Sequence, residues 1–303
     1  MKVLPLAAMS VEAQAFLEQG AFVDKPSMYE TSILEIRKQT LELYTPTSQQ
    51  AITNHGVTCS ETEVAGVRCL EVTPSKAIKG RQILYAFGGG FVQGSPFEDL
   101  PISAAISAKC QAKVICPYHR LAPENPFPAG LDDITSVAEL LLADNPSTLF
   151  AGESAGGNLV LALTHRLGST GNILPNAIAA LSPVVDLEYI GDSHLADRDP
   201  FLKASRKDEV RVAYLNGADP RHPEASPIYG DFGNGFPPAF ITTGTRDLLL
   251  SGCLRLEKVM REAGVPIELR VWDGMWHVFE FYPGIPEAEA SLSEIAEFLN
   301  RHF

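Results

Sequence analysis

Phe150-Ala151-Gly152-Glu153-Ser154-Ala155-Gly156-Gly157-Asn158 is the stretch on which the fold turns. It reads as a strand end, a sharp turn carrying a serine, and a helix start. Residues 148–151 are a short, mostly apolar run, and 158–167 (NLVLALTHRL) have the apolar density of a helix packed against a sheet. In the pattern Gly-x-Ser-x-Gly, the small residues Gly152 and Gly156 let strand and helix pack closely. The same tight turn pushes the serine into a strained conformation with its hydroxyl exposed. Ser154 is therefore the candidate nucleophile. The competing reading is a glycine-rich strand-to-helix turn whose serine is incidental.

Outward from this turn the chain alternates strand and helix. The strand candidates are 83–87, 114–116, 149–151, 177–181, 240–243 and 267–272, and most are short and largely apolar, as strands buried on both faces should be. Helical patterns at 101–108, 131–143, 158–167, 250–263 and 287–300 fall between most of them, which predicts an α/β fold with a mostly parallel sheet flanked by helices. Residues 57–63 and 67–72, joined near Ala65-Gly66, predict an antiparallel pair at one sheet edge. Ahead of them lie two helix-like segments, 10–19 with Ser10 as its N-cap and Gly20 at its end, and 27–43. The interval 186–236 breaks the alternation. It is rich in Asp, Pro and Gly, holds one helix-like piece at 207–215, and is too long for a simple connection, so it reads as an insertion covering something.

Composition excludes several classes. The 24 Lys and Arg against 37 Asp and Glu give a net charge of −13 without any basic run, which weighs against nucleic acid and anionic membrane surfaces as partners. Five dispersed cysteines without CxxC spacing indicate neither a zinc site nor a disulfide framework and fit a reducing cytosol. The opening MKVLPLAAMS is interrupted by Pro5 and soon gives way to acidic, helix-patterned sequence. It is too short for a convincing signal peptide, and no apolar run near 18 residues follows, so the expectation is a cytoplasmic protein without membrane insertion.

A serine hydroxyl needs a base to take its proton, commonly an imidazole held by a carboxylate. In open α/β sheets such groups sit at the carboxyl ends of strands. Asp247 follows the strand at 240–243, and His277 follows the strand ending near Trp272. The order Ser154, Asp247, His277 is the one associated with serine turns of this kind. His194 and His222 fall in the insertion and His302 in the terminal tail, which leaves His277 as the candidate base. Asp273, in the same loop as His277, is the rival acid. Backbone N–H donors for a developing oxyanion are expected from Gly88 and Gly89, directly after a strand, and from Ala155. A nucleotide-binding loop fits poorly, because Gln93 stands where G-x-G-x-x-G from Gly88 would need glycine.

Phe87-Gly88-Gly89-Gly90-Phe91, Arg120-Leu121-Ala122-Pro123-Glu124 with Pro126-Phe127-Pro128-Ala129 and Asp132-Asp133, the serine turn and the segment 274–279 together resemble the bacterial hormone-sensitive-lipase-like esterases over most of the chain. The resemblance implies an α/β-hydrolase core (49–185 and 237–303) and a helical cap (1–48 and 186–236). It implies no cofactor and no metal, and hydrolysis of small carboxylic esters with short acyl chains. It further implies Ser154 as nucleophile, Asp247 as acid, His277 as base, and an oxyanion hole from Gly88, Gly89 and Ala155. A homodimer is common among such proteins. A lactonase or amidase would use the same parts, and a non-catalytic ligand-binding relative is the reading from another class. Phe16, Phe22 and Met28 are expected to set substrate size from the cap. The sequence departs from the family where Phe87 replaces the histidine that usually opens the glycine loop, where His119 precedes Arg120 in place of tyrosine, where Glu153 replaces the aspartate before the serine, and where Leu248 replaces a proline after the acid.

Overall fold

In the computed structural model, which describes residues 9–19, 27–233 and 235–303, every run expected as a strand pairs into one eight-stranded sheet. The hairpin forms as expected: β1 (Val57–Val64) and β2 (Val67–Pro74) run antiparallel through a turn at Ala65 and Gly66, both at positive φ. The remaining strands are β3 (Gln82–Ala86), β4 (Lys113–Pro117), β5 (Leu149–Glu153), β6 (Ile178–Leu181), β7 (Ala239–Gly244) and β8 (Ile267–Trp272). The order across the sheet is β1-β2-β4-β3-β5-β6-β7-β8, and all pairs from β4 to β8 are parallel.

Burial on both faces explains why the central strands read as continuous apolar runs rather than alternating ones. Alternate residues serve opposite cores. Leu84, Phe150, Ile178 and Ile241 pack on one side against α4 (Ala129–Asp144), α5 (Ser154–Thr170) and α8 (Leu250–Glu262). Ile83, Tyr85, Leu149 and Phe240 pack on the other against α3 (Leu100–Cys110) and α9 (Pro286–Asn300).

Ahead of the sheet, α1 (Val11–Glu18) starts as expected on Ser10, whose hydroxyl accepts the Ala13 N–H at 3.1 Å. The expected end of that helix at Gly20 lies outside the described residues. The second helix departs from its expected bounds of 27–43: residues 28–31 form turns, and α2 runs Ile33–His55. Pro46 lies inside it, although proline removes a helix hydrogen bond and costs roughly 3 kcal/mol in a helix interior. Packing outweighs that cost. Ser48 and Ala51 are buried beyond the proline, and the Ser48 hydroxyl reaches the Glu98 carbonyl at 3.2 Å. The helix stops at Gly56, whose left-handed φ of 59° is the usual C-terminal cap.

The insertion carries α6 (Ser193–Ala196) and α7 (Lys207–Leu215), joined by chain that includes a 3₁₀ turn at Ala204–Arg206 and is bonded to the turns after β7 and β8. Glu209 ties α7 to the N-terminal segment, accepting from the Ser27 hydroxyl at 2.8 Å and the Met28 N–H at 3.0 Å.

At the serine turn β3 and β5 are nearest neighbours, with Gly152 opposite Ala86. A Cβ on Gly156 would stand 1.9 Å from the Ala86 carbonyl oxygen, and one on Gly152 would stand 2.9 Å from it. Gly156→Ala is therefore expected to cost about 3 kcal/mol or more, at the upper end of overpacking penalties. Thermal unfolding should show a Tm lower by about 6 °C or more; an unchanged Tm would mean that the strand and helix are not in this contact.

Candidate active site

Ser154 is the first residue of α5 and sits at φ +51°, a left-handed conformation that L side chains seldom adopt. β5 is completely buried up to Glu153, so the strain is held by packing on both sides of the turn. The helix starts at the serine itself, four residues ahead of the expected start at Asn158. Ala155 follows as the second residue of α5, where a helix has no internal acceptor for its N–H groups.

The structure brings the sequence-derived candidates together. His277 Nε2 lies 2.9 Å from Ser154 Oγ, and His277 Nδ1 lies 3.2 Å from Asp247 Oδ1. Asp247 comes from the turn after β7 and His277 from the turn after β8, as their spacing predicts. Asp273, the rival acid, is exposed and accepts a hydrogen bond from the Thr245 hydroxyl at 3.2 Å. His194, His222 and His302 are not among the partners of Ser154.

The charge environment separates the two partners. Burial acts to raise the Asp247 pKa, but His277 and the Leu249 N–H hold it below the ordinary carboxylate value. The Thr243 hydroxyl adds a hydrogen bond to its other oxygen at 2.9 Å. For His277, burial favours the neutral ring, yet Asp247 foremost, then Asp199 and Glu280, outweigh it and raise the pKa above 6.5.

Asp199 is a member that sequence reading missed. It lies in the insertion, 1% exposed, and its Oδ2 accepts the backbone N–H groups of both Leu248 and His277 at 3.1 Å. An Asp-Pro-Phe in a polar segment carries no signal for such a role, because the contact depends on how the insertion folds back over the sheet.

The glycine loop follows β3 and so stands beside the serine turn. Gly88 and Gly89 line the same cavity as Ser154 and His277, a space of about 260 Å³ whose apolar lining includes Ile36, Leu202, Val210 and Phe281. Gly88 lies directly against the Glu153 carboxyl, where a Cβ would come within 1.9 Å, and Gly89 has φ +101°. Of the residues expected to shape the pocket, Met28 lines it. Phe16 stacks on Trp276 instead, with ring centroids 5.1 Å apart, and Phe22 lies outside the described residues.

Phe87 cannot hydrogen-bond to its loop, and a neighbouring ring supplies support. His119 stacks on Phe87 at 4.0 Å with planes 11° apart, and its Nε2 lies 3.4 Å from the Phe87 carbonyl oxygen. Arg37 of α2 clasps the far end of the loop. Its guanidinium donates to the carbonyls of Val92 at 2.7 Å and Ala122 at 2.8 Å and pairs with Glu124. Arg120, in the same motif as Glu124, donates through its backbone N–H to Asp133 at 2.7 Å, and the Ala122 N–H of that motif donates to the Phe91 carbonyl at 2.9 Å, which ties the motif to the loop.

A serine in a strained turn, hydrogen-bonded to a buried imidazole beside a glycine loop, is the geometry of acyl transfer. Comparison with known proteins agrees. Residues 83–281 match the family model described as the alpha/beta hydrolase fold. An acetyl-hydrolase of Streptomyces hygroscopicus is 34% identical over 258 residues, covering 83% of this chain and 86% of its own. A crystal structure of an esterase from the bacterial hormone-sensitive lipase family is 33% identical with a TM-score of 0.79, covering 84% of this chain and 90% of its own. The chain belongs to the bacterial hormone-sensitive-lipase-like esterases. A crystal structure of EstE5, soaked by p-nitrophenyl butyrate, superimposes on this esterase with a TM-score of 0.87 at 29% identity, covering 97% of this chain and 99% of that one.

In this esterase no group of three or more His, Cys, Asp or Glu is placed to hold a metal ion among the described residues, and all five cysteines are free. No described helix is long and apolar enough to cross a membrane.

The stacked pair gives a test of the loop. Phe87→Ala should lower stability by about 3 kcal/mol, since a buried aromatic is removed. Phe87→His should leave the kcat for ester hydrolysis within about two-fold of wild type, because the loop is already braced by His119 and Arg37. A large gain in kcat on introducing the histidine would show instead that the loop is poorly held.

Proposed function

We propose that the protein is a serine carboxylesterase acting on short-chain esters through an acyl-enzyme. Ser154 Oγ attacks the ester carbonyl as His277 Nε2 takes its proton, and Asp247 Oδ1 holds the ring through Nδ1–H and balances the charge that forms on it. The N–H groups of Gly88, Gly89 and Ala155 bind the oxyanion of the tetrahedral intermediate. As that intermediate collapses, the ester C–O bond breaks and the alcohol leaves with the proton from His277. Water then attacks the acyl-serine with His277 as base, which releases the acid and restores the serine.

One observation carries this reading: the 2.9 Å contact between Ser154 Oγ and His277 Nε2 on the wall of an apolar cavity. The short-chain preference is supported by the cavity volume of about 260 Å³, near the lower end for small-molecule sites. In the same reading the segments 1–48 and 186–236 act as a cap over the core. Described parts of both, Ile36 and Thr40 from the first and Leu202 and Val210 from the second, supply cavity wall.

Hydrolysis of a p-nitrophenyl ester series from acetate to decanoate should peak at short acyl chains. Ser154→Ala should lower kcat by about 10⁴-fold or more on every member. Retained turnover in the alanine variant would remove Ser154 as nucleophile.

The pH dependence follows from the direction of the His277 shift. The base must be neutral, and its pKa lies above 6.5, so kcat/KM should fall as pH drops, with a midpoint above 6.5. A midpoint below that value would contradict the electrostatic setting described for the imidazole.

A further inference from the structure

Asp199 has no part in the mechanism above, yet its carboxylate is among the most completely satisfied groups near the cavity. Its Oδ1 accepts the N–H groups of Phe201 at 2.8 Å and Leu202 at 3.0 Å. Its Oδ2 accepts those of Leu248 and His277, each at 3.1 Å. The first pair belongs to the insertion, and the second belongs to the two loops that present Asp247 and His277. One buried side chain thus joins three separate stretches of backbone at the site.

We propose that Asp199 is a positioning residue for ester hydrolysis, whose carboxylate pins the loops bearing Asp247 and His277 and lends a second negative charge to the imidazolium formed when Ser154 is deprotonated. This rests on Ser154, His277 and Asp247 acting as described under the proposed function. The pinning follows from hydrogen bonding: each N–H held by a fixed buried acceptor removes freedom from the loop, and the bond from His277 N acts on the residue whose ring must meet Ser154. The electrostatic part follows from distance and burial, since charges interact more strongly where water is excluded.

Around His277 the ionisable neighbours are Asp247 from the turn after β7, Asp199 from the insertion and Glu280 from its own turn. Glu280 is buried and hydrogen-bonded to Thr242 and Ser291, and burial raises its pKa. Around Asp199 stand Asp247 and His277, the Lys203 ammonium on the Asp199 carbonyl at 3.3 Å, and the half-buried Tyr282. Burial and then Asp247 push the Asp199 pKa up to about 6, while His277 and the N–H groups of Leu202 and Phe201 pull the other way. Four backbone N–H donors on its two oxygens favour the ionised form. Phe201 and Leu202, the next residues but one and two, line the cavity, so the segment that holds the base also forms substrate wall.

The experiment compares the pH profiles of wild type, Asp199→Asn and Asp199→Glu on p-nitrophenyl butyrate, with active sites counted by acyl-enzyme burst and folding checked by circular dichroism. Asparagine removes the charge and satisfies only one of the two N–H pairs. Its kcat should fall about ten- to hundred-fold, and its acid limb should move down by about 0.5 pH unit or more as the imidazolium loses a neighbouring charge. Glutamate keeps the charge but misplaces it, so kcat should fall while the limb stays within about 0.2 unit of wild type. An asparagine variant whose limb does not move overturns the proposal, whether or not its kcat falls, because a purely structural brace would leave the limb in place. If the asparagine variant does not fold, carboxyl ¹³C and imidazole ¹⁵N titration of the wild type decides. An Asp199 carboxylate ionised at pH 8 that titrates together with His277 supports the proposal, and one still protonated there overturns it. Ser154→Ala, run in parallel, separates the two readings: activity surviving that change defeats the nucleophile assignment, whatever Asp199 does.

Discussion

The carbonyl of Ala86 is the point against which the site is built. Gly152 and Gly156 both press on it from the serine turn, at separations that no side chain would allow. This contact fixes how closely β5 and α5 approach the end of β3. The chain leaving β3 is the glycine loop, so the same contact that strains Ser154 also delivers backbone N–H groups to its neighbourhood. The strained serine and the glycine loop proposed to supply oxyanion donors are in effect one packing event. Strain of this kind costs on the order of 1–3 kcal/mol and survives only where the surroundings over-determine it, as the buried carboxyl ends of β3 and β5 do here.

Electrostatics sorts the acids around the imidazole into different roles. Asp247, Asp199 and Glu280 are all buried near His277. Only Asp247 is held below its ordinary pKa, and it is the one in direct contact with the ring. Asp199 and Glu280 are raised by burial. Pairs of titratable groups pushed apart in this way are a mark of acid–base sites. The net effect favours the protonated ring, the state that the proposed mechanism calls for while the tetrahedral intermediate exists.

Local patterning made most of the fold legible. Apolar runs, glycine turns and the order of Ser154, Asp247 and His277 were readable because parallel strands buried on both faces and strand-end loops leave short-range signatures. Three features were not legible, each for a physical reason. The second helix continues through Pro46 because tertiary burial of Ser48 and Ala51 outweighs a local helix breaker. His119 compensates for Phe87 only through a stack between residues 32 positions apart. Asp199 sits in a segment without periodicity, and its partners are backbone N–H groups, which leave no mark in a sequence. Side-chain chemistry announced the candidate nucleophile and the candidate base. What holds them in register is carried by long-range contacts to the main chain.

Those contacts change how the insertion should be understood. A segment rich in Asp, Pro and Gly invites description as a detachable lid, able to vary freely as surface loops do. The stretch 199–210 does not meet that description. Its first residue is bonded to the loops of Asp247 and His277, Leu202 and Val210 form cavity wall, and Glu209 anchors Ser27 and Met28. Substrate wall and base support therefore share one short piece of chain. A change there that reshapes the pocket will also be felt at His277, so under the proposed function acyl-chain preference and turnover are coupled through this segment. The wall formed by α2 answers to a different part of the site: Ile33, Ile36 and Thr40 line the cavity without bonding to the loops of Asp247 or His277, and Thr40 instead meets the Gln93 side chain at 3.5 Å, beside the glycine loop that Arg37 of the same helix clasps.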